Sequence, residues 1–385
     1  MQISILEQSV SVEGKPQSNT IQDSINLAVK AEMLGYKRFW VSEHHNHPTI
    51  IGSAPEVLMA AIAGKTETIR IGSAGIMLPH YAPFKVAEQF RVLEALAPGR
   101  IDLGLGRAPG SDGRTALALN PNSRTDSEQF PGNVRDLMAW VSNEKLLEGH
   151  PYRHLVAQPQ SKTYPEVWML GTSNYGAQLA AYLGIPYCFA HFITDGQGMK
   201  TAIDLYKSEF RPSKNFKKPL VNVCLWALTA KTEEEAKYLF ASRAAWKIGR
   251  NFGQLGPITD PDNAINIIHE NNWQEQYEFM FENSIGTQKD ITKAIKWYTI
   301  AAEKNEAQAQ FNLAVIYHQG SENNKDIIDL EKALKWYNRA ARQGYADAQN
   351  NLAIMHYLGE GIVSDPQQAY MWLNISVANG NIKAI

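Results

Sequence analysis

Through its first 250 residues this chain alternates short β-branched or aromatic runs with helix-length amphipathic segments, and no other feature constrains its fold as tightly. That order builds βα units around a parallel sheet, because parallel strands need a crossover that is usually a helix. Seven runs read as strands: ISIL (3–6), RFWVS (38–42), IRIGSA (69–74), RIDLGL (100–105), EVWML (166–170), PYCFA (186–190) and LVNVCLWAL (220–228). Ser53 with Glu56 reads as a capping box, and Pro55 suits a first helical turn. Pro83 opens the next helix, Pro98 and Gly99 close it, and Gly35 and Gly184 end two others. Stretch 107–165 has no clear period apart from a helical piece near 133–147, and reads as an excursion over the rim, a candidate lid.

One of these runs, YKRFWVSEHHNH (36–47), stops abruptly at Glu43, His44, His45 and His47. A strand that ends in a carboxylate and imidazoles delivers reagents to the C-terminal rim of a parallel α/β barrel. Read alone, His44 and its neighbours are metal ligands, a general base or ordinary polar residues at a strand end. Adjacent residues on an extended strand face opposite ways, so His44 and His45 cannot aim at one ion without a bend, which disfavours zinc. GLGRAPG (104–110) puts Gly104 and Gly106 where a planar ligand could approach the backbone, with Arg107 just beyond; the plainer reading of Arg107 is a surface cation. LGTSNYGAQLAAYLG (170–184) sets Gly171, Thr172, Ser173 and Gly176 between a strand and a helix, where hydroxyls and free N–H groups bind phosphate or simply cap the helix.

Composition narrows the classes. Lys plus Arg (37) nearly balances Asp plus Glu (39), so no long-range field draws nucleic acid or an anionic membrane to the chain. Cys188 and Cys224 are the only cysteines, each inside an apolar run, and read as buried, reduced thiols. The start lacks a basic region followed by an apolar segment and no later stretch has the length of a membrane span, so a cytoplasmic location is expected.

WVSEHHN (40–46), IRIGSAGIMLPHYAPFKVAEQFRVLEALAPGRIDLGLGRAPG (69–110) and VWMLGTSNYGAQLAAYLGIPYCFAHF (167–192), in this order, resemble the bacterial luciferase-like, flavin-dependent monooxygenases. The likeness runs from residue 1 to about 250. It implies an α/β fold, a TIM-type (β/α)8-like barrel. By the resemblance, His44 matches the active-site histidine. Arg107, Ser173 and the backbone around Tyr175 and Gly176 match the phosphate site of FMN. Ala74 and Gly75 match a non-prolyl cis peptide under the flavin ring, and Glu43 and Gly106 are counted with the cofactor-binding residues. The implied partners are reduced FMN from a separate flavin reductase, dioxygen and a small organic substrate. Because related barrels often dimerise, a homodimer is one expected state.

From about 287 onward the composition shifts to Ala, Gln, Asn and Tyr, and KAIKWYTIAAEKNEAQAQFNLAVIY (293–317) recurs as KALKWYNRAARQGYADAQNNLAIMH (332–356), 39 residues on. A third copy begins at QAYMWLNISVANGN (368–381), with Trp372 36 residues after Trp336. These resemble Sel-one-like repeats, tetratricopeptide-related αα-hairpins with GEG (359–361) as a turn. Ala294, Ala301, Ala309, Ala333, Ala340 and Ala348 allow close helix approach, while Trp297, Trp336, Leu313 and Leu352 fill between. QGSENN (319–324) departs from the GEG turn. The expected organisation is a luciferase-like flavin barrel over 1–286 and an all-α helical-hairpin repeat domain over 287–385, the latter a protein-interaction module.

The resemblance also implies an eighth strand, which the sequence does not offer; SIGTQKDITKA (284–294) looks like a penultimate helix start that flows into the repeats. Repeat helices or segment 250–285 are candidate covers for the open edges of strands one and seven. The end at NIKAI lacks the polar terminal helix of such arrays, as partner binding or a truncated reading frame would explain. Two alternatives to a flavin monooxygenase stand: a repeat-based scaffold on a catalytically dead barrel, and deazaflavin-dependent hydride transfer.

Overall fold

A computed structural model describes residues 2–122, 128–282, 306–320 and 326–379, with scattered positions between 295 and 305. The chain divides into two units, Met1–Ala230 with Gly249–Asp260, and Lys231–Ile248 with Pro261–Ile385.

The first unit is a nearly closed barrel of parallel strands. In chain order it comprises β1 (Ile5–Glu7), α1 (Gln17–Met33), β2 (Arg38–Val41), α2 (Pro55–Ala63), β3 (Arg70–Met77), α3 (Pro83–Leu96) and β4 (Ile101–Gly106). There follow α4 (Gly113–Leu119), α5 (Phe130–Val141), β5 (Glu166–Gly171), α6 (Asn174–Leu183), β6 (Tyr187–Ala190), α7 (His191–Thr194), α8 (Met199–Glu209) and β7 (Val221–Cys224). Each strand bonds to its sequence neighbour, giving a seven-stranded sheet in the order β1 to β7. Among the described residues no eighth strand joins β7 to β1. Strands β2 and β4 are buried throughout, as parallel strands covered on both faces must be.

Several expectations shift by physical necessity. The run at 220–228 yields a strand only as far as Cys224, because its ladder partner Ala190 is the last residue of β6; Leu225, Trp226 and Leu228 emerge exposed. The Ser53–Glu56 capping box does not form. Ala54 caps α2 without a side-chain bond, Pro55 takes the first helical position, and Glu56 accepts from Gln89 instead. Pro83 and Gly184 behave as expected, the latter ending α6 in the left-handed region. The helical piece of the long excursion starts earlier, at Phe130. It buries Phe130, Val134, Leu137 and Trp140 in the main core, so it is barrel wall rather than lid. Cys188 is buried, but Cys224 is only partly so.

Inside the barrel, Trp40, Trp168 and Cys188 pack with Leu6, Ala74, Leu170 and Cys224. The N-terminal end of the strands is closed by charge. Arg38 bonds Asp102 and Glu166, Arg70 bonds Asp102, and the Trp40 indole donates to Asp102 at 2.8 Å. Burial pushes the Asp102 carboxyl up although both guanidiniums pull it down. Trp40 reaches Asp102 only because Gly72, its register neighbour, has no Cβ: an added methyl would lie 2.6 Å from the indole nitrogen.

The second unit is helical. α9 (Glu233–Asn251), whose last residues belong to the barrel unit, α10 (Pro261–Glu270) and α11 (Gln274–Glu282) pack around Ala241, Ala244, Ile248, Ala264, Ile268 and Trp273. Then come α12 (Ala307–Gln319), α13 (Leu330–Arg342), α14 (Ala346–Leu358) and α15 (Pro366–Ala378). Ala309, Leu313, Ala333, Trp336, Ala340, Ala348 and Leu352 are buried together, as the repeat pattern requires, and Gly359 and Gly361 both take positive φ in the GEG turn. Ala294, Trp297, Ala301, the stretch 284–294 and the turn from 321 to 324 lie outside the described residues. No helix among the described residues is long and apolar enough to cross a membrane.

Candidate functional site

Glu43 organises the rim. It is fully buried, its Oε1 accepts from the Tyr81 hydroxyl at 2.7 Å and lies 2.7 Å from His45 Nε2, and its Oε2 accepts from the Met77 N–H at 2.9 Å. One side chain from the end of β2 thereby ties down the end of β3 and the LPHY segment after it. Burial pushes the Tyr81 phenol well up, with Glu43 adding to the effect, so Tyr81 stays a donor. With both oxygens engaged, Glu43 shapes the wall.

The alternation along the strand end sorts the histidines. His45 turns to Glu43 and stands edge-on to His80 at 5.6 Å, while His44 faces His47 at 6.0 Å. His44 Nδ1 is buried with no hydrogen-bond partner. Burial, then the nearby His47, push the His44 imidazole down to about 4, so it is neutral at pH 7 and holds an unused polar atom. A buried polar atom without a partner costs about 1 to 3 kcal/mol unless something meets it. His47 is also pushed down, by burial and then Arg250, and its Nδ1 accepts from the Thr49 and Ile50 N–H groups.

Strands β3 and β4 come unusually close. The Ala74–Gly75 peptide is cis, and the ladder between these strands slips in register between Ser73 and Ile76. A Cβ on Gly104 would lie 2.2 Å from the Ser73 carbonyl oxygen, and one on Gly75 would lie 2.8 Å from the Gly104 oxygen. Gly104 therefore serves strand packing rather than ligand approach, and Gly106 lies against Met77. Beyond β4, the Gly110 carbonyl accepts from the His45 N–H, and Asn46 bonds Asp112 and Thr115 at the start of α4.

Arg107, just past β4, is exposed and stacks over the Tyr175 ring at 4.1 Å, which brings it to the N-terminus of α6. Ser173 precedes that helix in extended conformation but makes no side-chain cap bond, so the simple helix-cap reading fails and its hydroxyl remains available. A stacked guanidinium, a hydroxyl without a cap bond and the first N–H groups of a ten-residue helix are the kinds of group that can receive an anion. Gly176, one turn in, has room for a methyl, its would-be Cβ meeting the nearest atoms only at 3.7 Å. The rim thus carries two neighbourhoods, Glu43 with His45, Met77 and Tyr81 beside the His44–His47 pair, and Arg107–Tyr175 at the Ser173–Gly176 start of α6.

Sequence reasoning missed His80 and Tyr81, and it named 250–285 only as a candidate cover for open strand edges, not 249–260 as part of the rim. His80 Nε2 donates to the Pro109 carbonyl at 2.6 Å, and the Thr49 hydroxyl donates to the Gly256 carbonyl. Ile258 pairs with Val12, and Arg250 acts electrostatically on His44 and His47. The LPHY run after the third strand was a readable signal for the first two; nothing in the sequence marks 249–260.

A family model described as luciferase-like monooxygenase matches residues 1–374. The uncharacterized protein YwcH of Bacillus subtilis (strain 168) is 47% identical over 239 residues, which is 62% of this chain and 71% of YwcH. N-acetyl-S-alkylcysteine monooxygenase of the same organism is 36% identical over 299 residues, 77% of this chain and 88% of that protein. Among solved structures, apo-MsnO8 superposes with a TM-score of 0.64 at 36% identity, covering 70% of this chain and 79% of its own. Together with the barrel and its rim, these matches place the chain in the luciferase-like monooxygenase family.

Proposed function

We propose that the barrel is an FMN-dependent monooxygenase that takes reduced FMN from a separate reductase and uses dioxygen on a small organic substrate. The observation that carries this reading is a guanidinium stacked at an uncapped helix start together with an unsatisfied buried imidazole nitrogen at the strand ends. Arg107, Ser173 and the backbone at Tyr175 and Gly176 would hold the phosphate, with the Tyr175 ring keeping the guanidinium in place. Ala74, Gly75 and Gly106 would floor the flat ring. Bound reduced flavin supplies the activation of dioxygen. His44, neutral at working pH, would accept or hold a proton at Nδ1, while Glu43 keeps the β2 and β3 ends in register and His45 turned away. A relative that is itself a monooxygenase of an alkylated cysteine derivative supports a substrate of that size.

The scaffold reading keeps one observation in its favour, the β1 and β7 edges left unjoined among the described residues. Anaerobic titration of the full chain with reduced FMN separates the two. Binding is expected, and Arg107→Ala should weaken it by about 10- to 150-fold, the size of a hydrogen bond to a charged group. No binding by the unaltered chain would favour the scaffold, and equal binding by both proteins would put the phosphate elsewhere.

A further inference from the structure

A cavity of about 530 Å³ opens at the end of the strands opposite the rim, a volume in the range of small-molecule sites. It lies wholly in the barrel unit, among the start of β5, the second half of α5 with the residues that follow it, and the turn before β7. Barrels of this kind place their chemistry at the C-terminal ends of the strands, so the proposed flavin reaction makes no use of this end. Two residues of the charged cluster that closes the barrel line the cavity with bonding capacity left over. Glu166 Oε1 accepts from Arg38 Nη2 at 2.6 Å and from the Trp168 indole at 2.8 Å. Its Oε2 has no hydrogen bond among the described residues, and Arg70 Nη2 stands 3.9 Å from it. Arg70 directs Nε, Nη2 and one proton of Nη1 to Asp102, Ile101 and Gly99, which leaves one of its five N–H groups. Arg38 and Arg70 already balance Asp102 and Glu166 in charge, so a neutral N–H beside an acceptor suits this wall better than an ion.

Apolar and cationic groups make up the rest. Met138, Leu146, Ile185 and Phe216 line the body of the cavity. The turn that carries Phe216 is fixed, because the Ser213 N–H donates to the Phe216 carbonyl at 2.9 Å and the Ser213 hydroxyl donates to the Gly184 carbonyl at 2.8 Å. The Tyr164 hydroxyl donates to Asn215 Oδ1 at 3.2 Å and joins that turn to the segment leading into β5. Walls set in advance lower the ordering cost of binding. Lys145 is exposed and makes no ion pair among the described residues, and the Lys214 side chain, 77% exposed, comes only within 3.9 Å of Glu144. Asp136, by contrast, is engaged by Arg135 and His150. Two ammonium groups therefore stand at the open side, where an anion would meet them.

We propose that this cavity is a second ligand site and takes a nucleoside monophosphate, a heteroaromatic ring with an N–H next to an acceptor and a phosphate tail. The ring lies among the apolar walls, its N–H donates to Glu166 Oε2, and its acceptor atom receives the remaining Arg70 N–H. The phosphate reaches out to Lys145 and Lys214.

Isothermal titration calorimetry of the full chain with AMP and with GMP tests this, since both rings carry such an edge. At least one should bind saturably, and ribose 5-phosphate, the tail without the ring, should bind about 10-fold more weakly or worse, for want of the hydrogen bonds to Glu166 and Arg70. Lys145→Glu should weaken nucleotide binding about 3- to 10-fold, as a screened attraction becomes a repulsion of like size. Ala139→Phe puts a ring into the cavity from a partly exposed position on α5 and should abolish binding with circular dichroism unchanged. The proposal is overturned if neither nucleotide saturates, if ribose 5-phosphate binds equally well, or if a folded Ala139→Phe protein binds as before. Binding lost in Arg107→Ala but kept in Ala139→Phe would also overturn it, by moving the nucleotide to the rim. Should Ala139→Phe fail to fold, an affinity indifferent to Lys145→Glu decides against the site.

Discussion

His44→Gln isolates the most informative titrating group of the rim. Folded His44 titrates near 4, against an ordinary value of 6.5, chiefly because burial strips water from the imidazolium. Between these values the unfolded chain binds a proton that the folded chain refuses, so stability rises with pH across that window and is complete above 6.5. For one site with these two values, moving from about pH 7.5 to about pH 4.5 removes roughly 2.5 kcal/mol, or about 2 once solvent reaching the part-exposed ring is allowed for. Urea unfolding read by hydrogen exchange at β2 and β3 amides, at both pH values and for both proteins, gives a difference of differences in which other titrating groups largely cancel. It should come to about 2 kcal/mol. The imidazole resonance lost in His44→Gln should titrate near 4 in the unaltered chain. A midpoint above roughly 6, the ordinary imidazole range, or a double difference within about 0.5 kcal/mol of zero, would show that His44 is solvated and remove its poised neutral form from the proposed chemistry.

Three further outcomes are expected. Glu43→Ala strands the Met77 N–H, the Tyr81 hydroxyl and His45 without their common acceptor, and should destabilise the barrel by about 3 kcal/mol or more in chemical denaturation; a loss under about 1 kcal/mol would mean that water substitutes freely. Gly104→Ala drives a methyl into the Ser73 carbonyl and should cost about 3 kcal/mol, whereas a neutral result would mean that β3 and β4 separate easily. Gly176→Ala meets only ordinary contacts and should leave stability within about 0.5 kcal/mol, while lowering reduced-FMN affinity if the phosphate sits at this helix start; unchanged affinity would move it away.

Much of this was legible along the chain because it is local. The strand cores follow from β-branched runs, and the helix boundaries at Pro83 and Gly184 follow from the missing N–H of proline and the permissive φ of glycine. The Ser53–Glu56 signal was equally local and misled, because Pro55 and the contact of Glu56 with Gln89 set that helix start instead. Gly104 read as ligand-facing for want of knowledge of the neighbouring strand. Only its position showed that the Ser73 carbonyl takes that space.

By itself the sequence determined the order of strands and helices, the repeat spacing and the cluster of imidazoles at one strand end, all properties of residues near one another. Tertiary structure decided which imidazole is poised. His45 is held by Glu43 and His44 is left with an unmet nitrogen, because pairing brings Met77, Tyr81 and Arg250 to that rim from far along the chain. Burial and hydrogen bonding depend on what arrives from elsewhere, and a linear pattern does not carry that information.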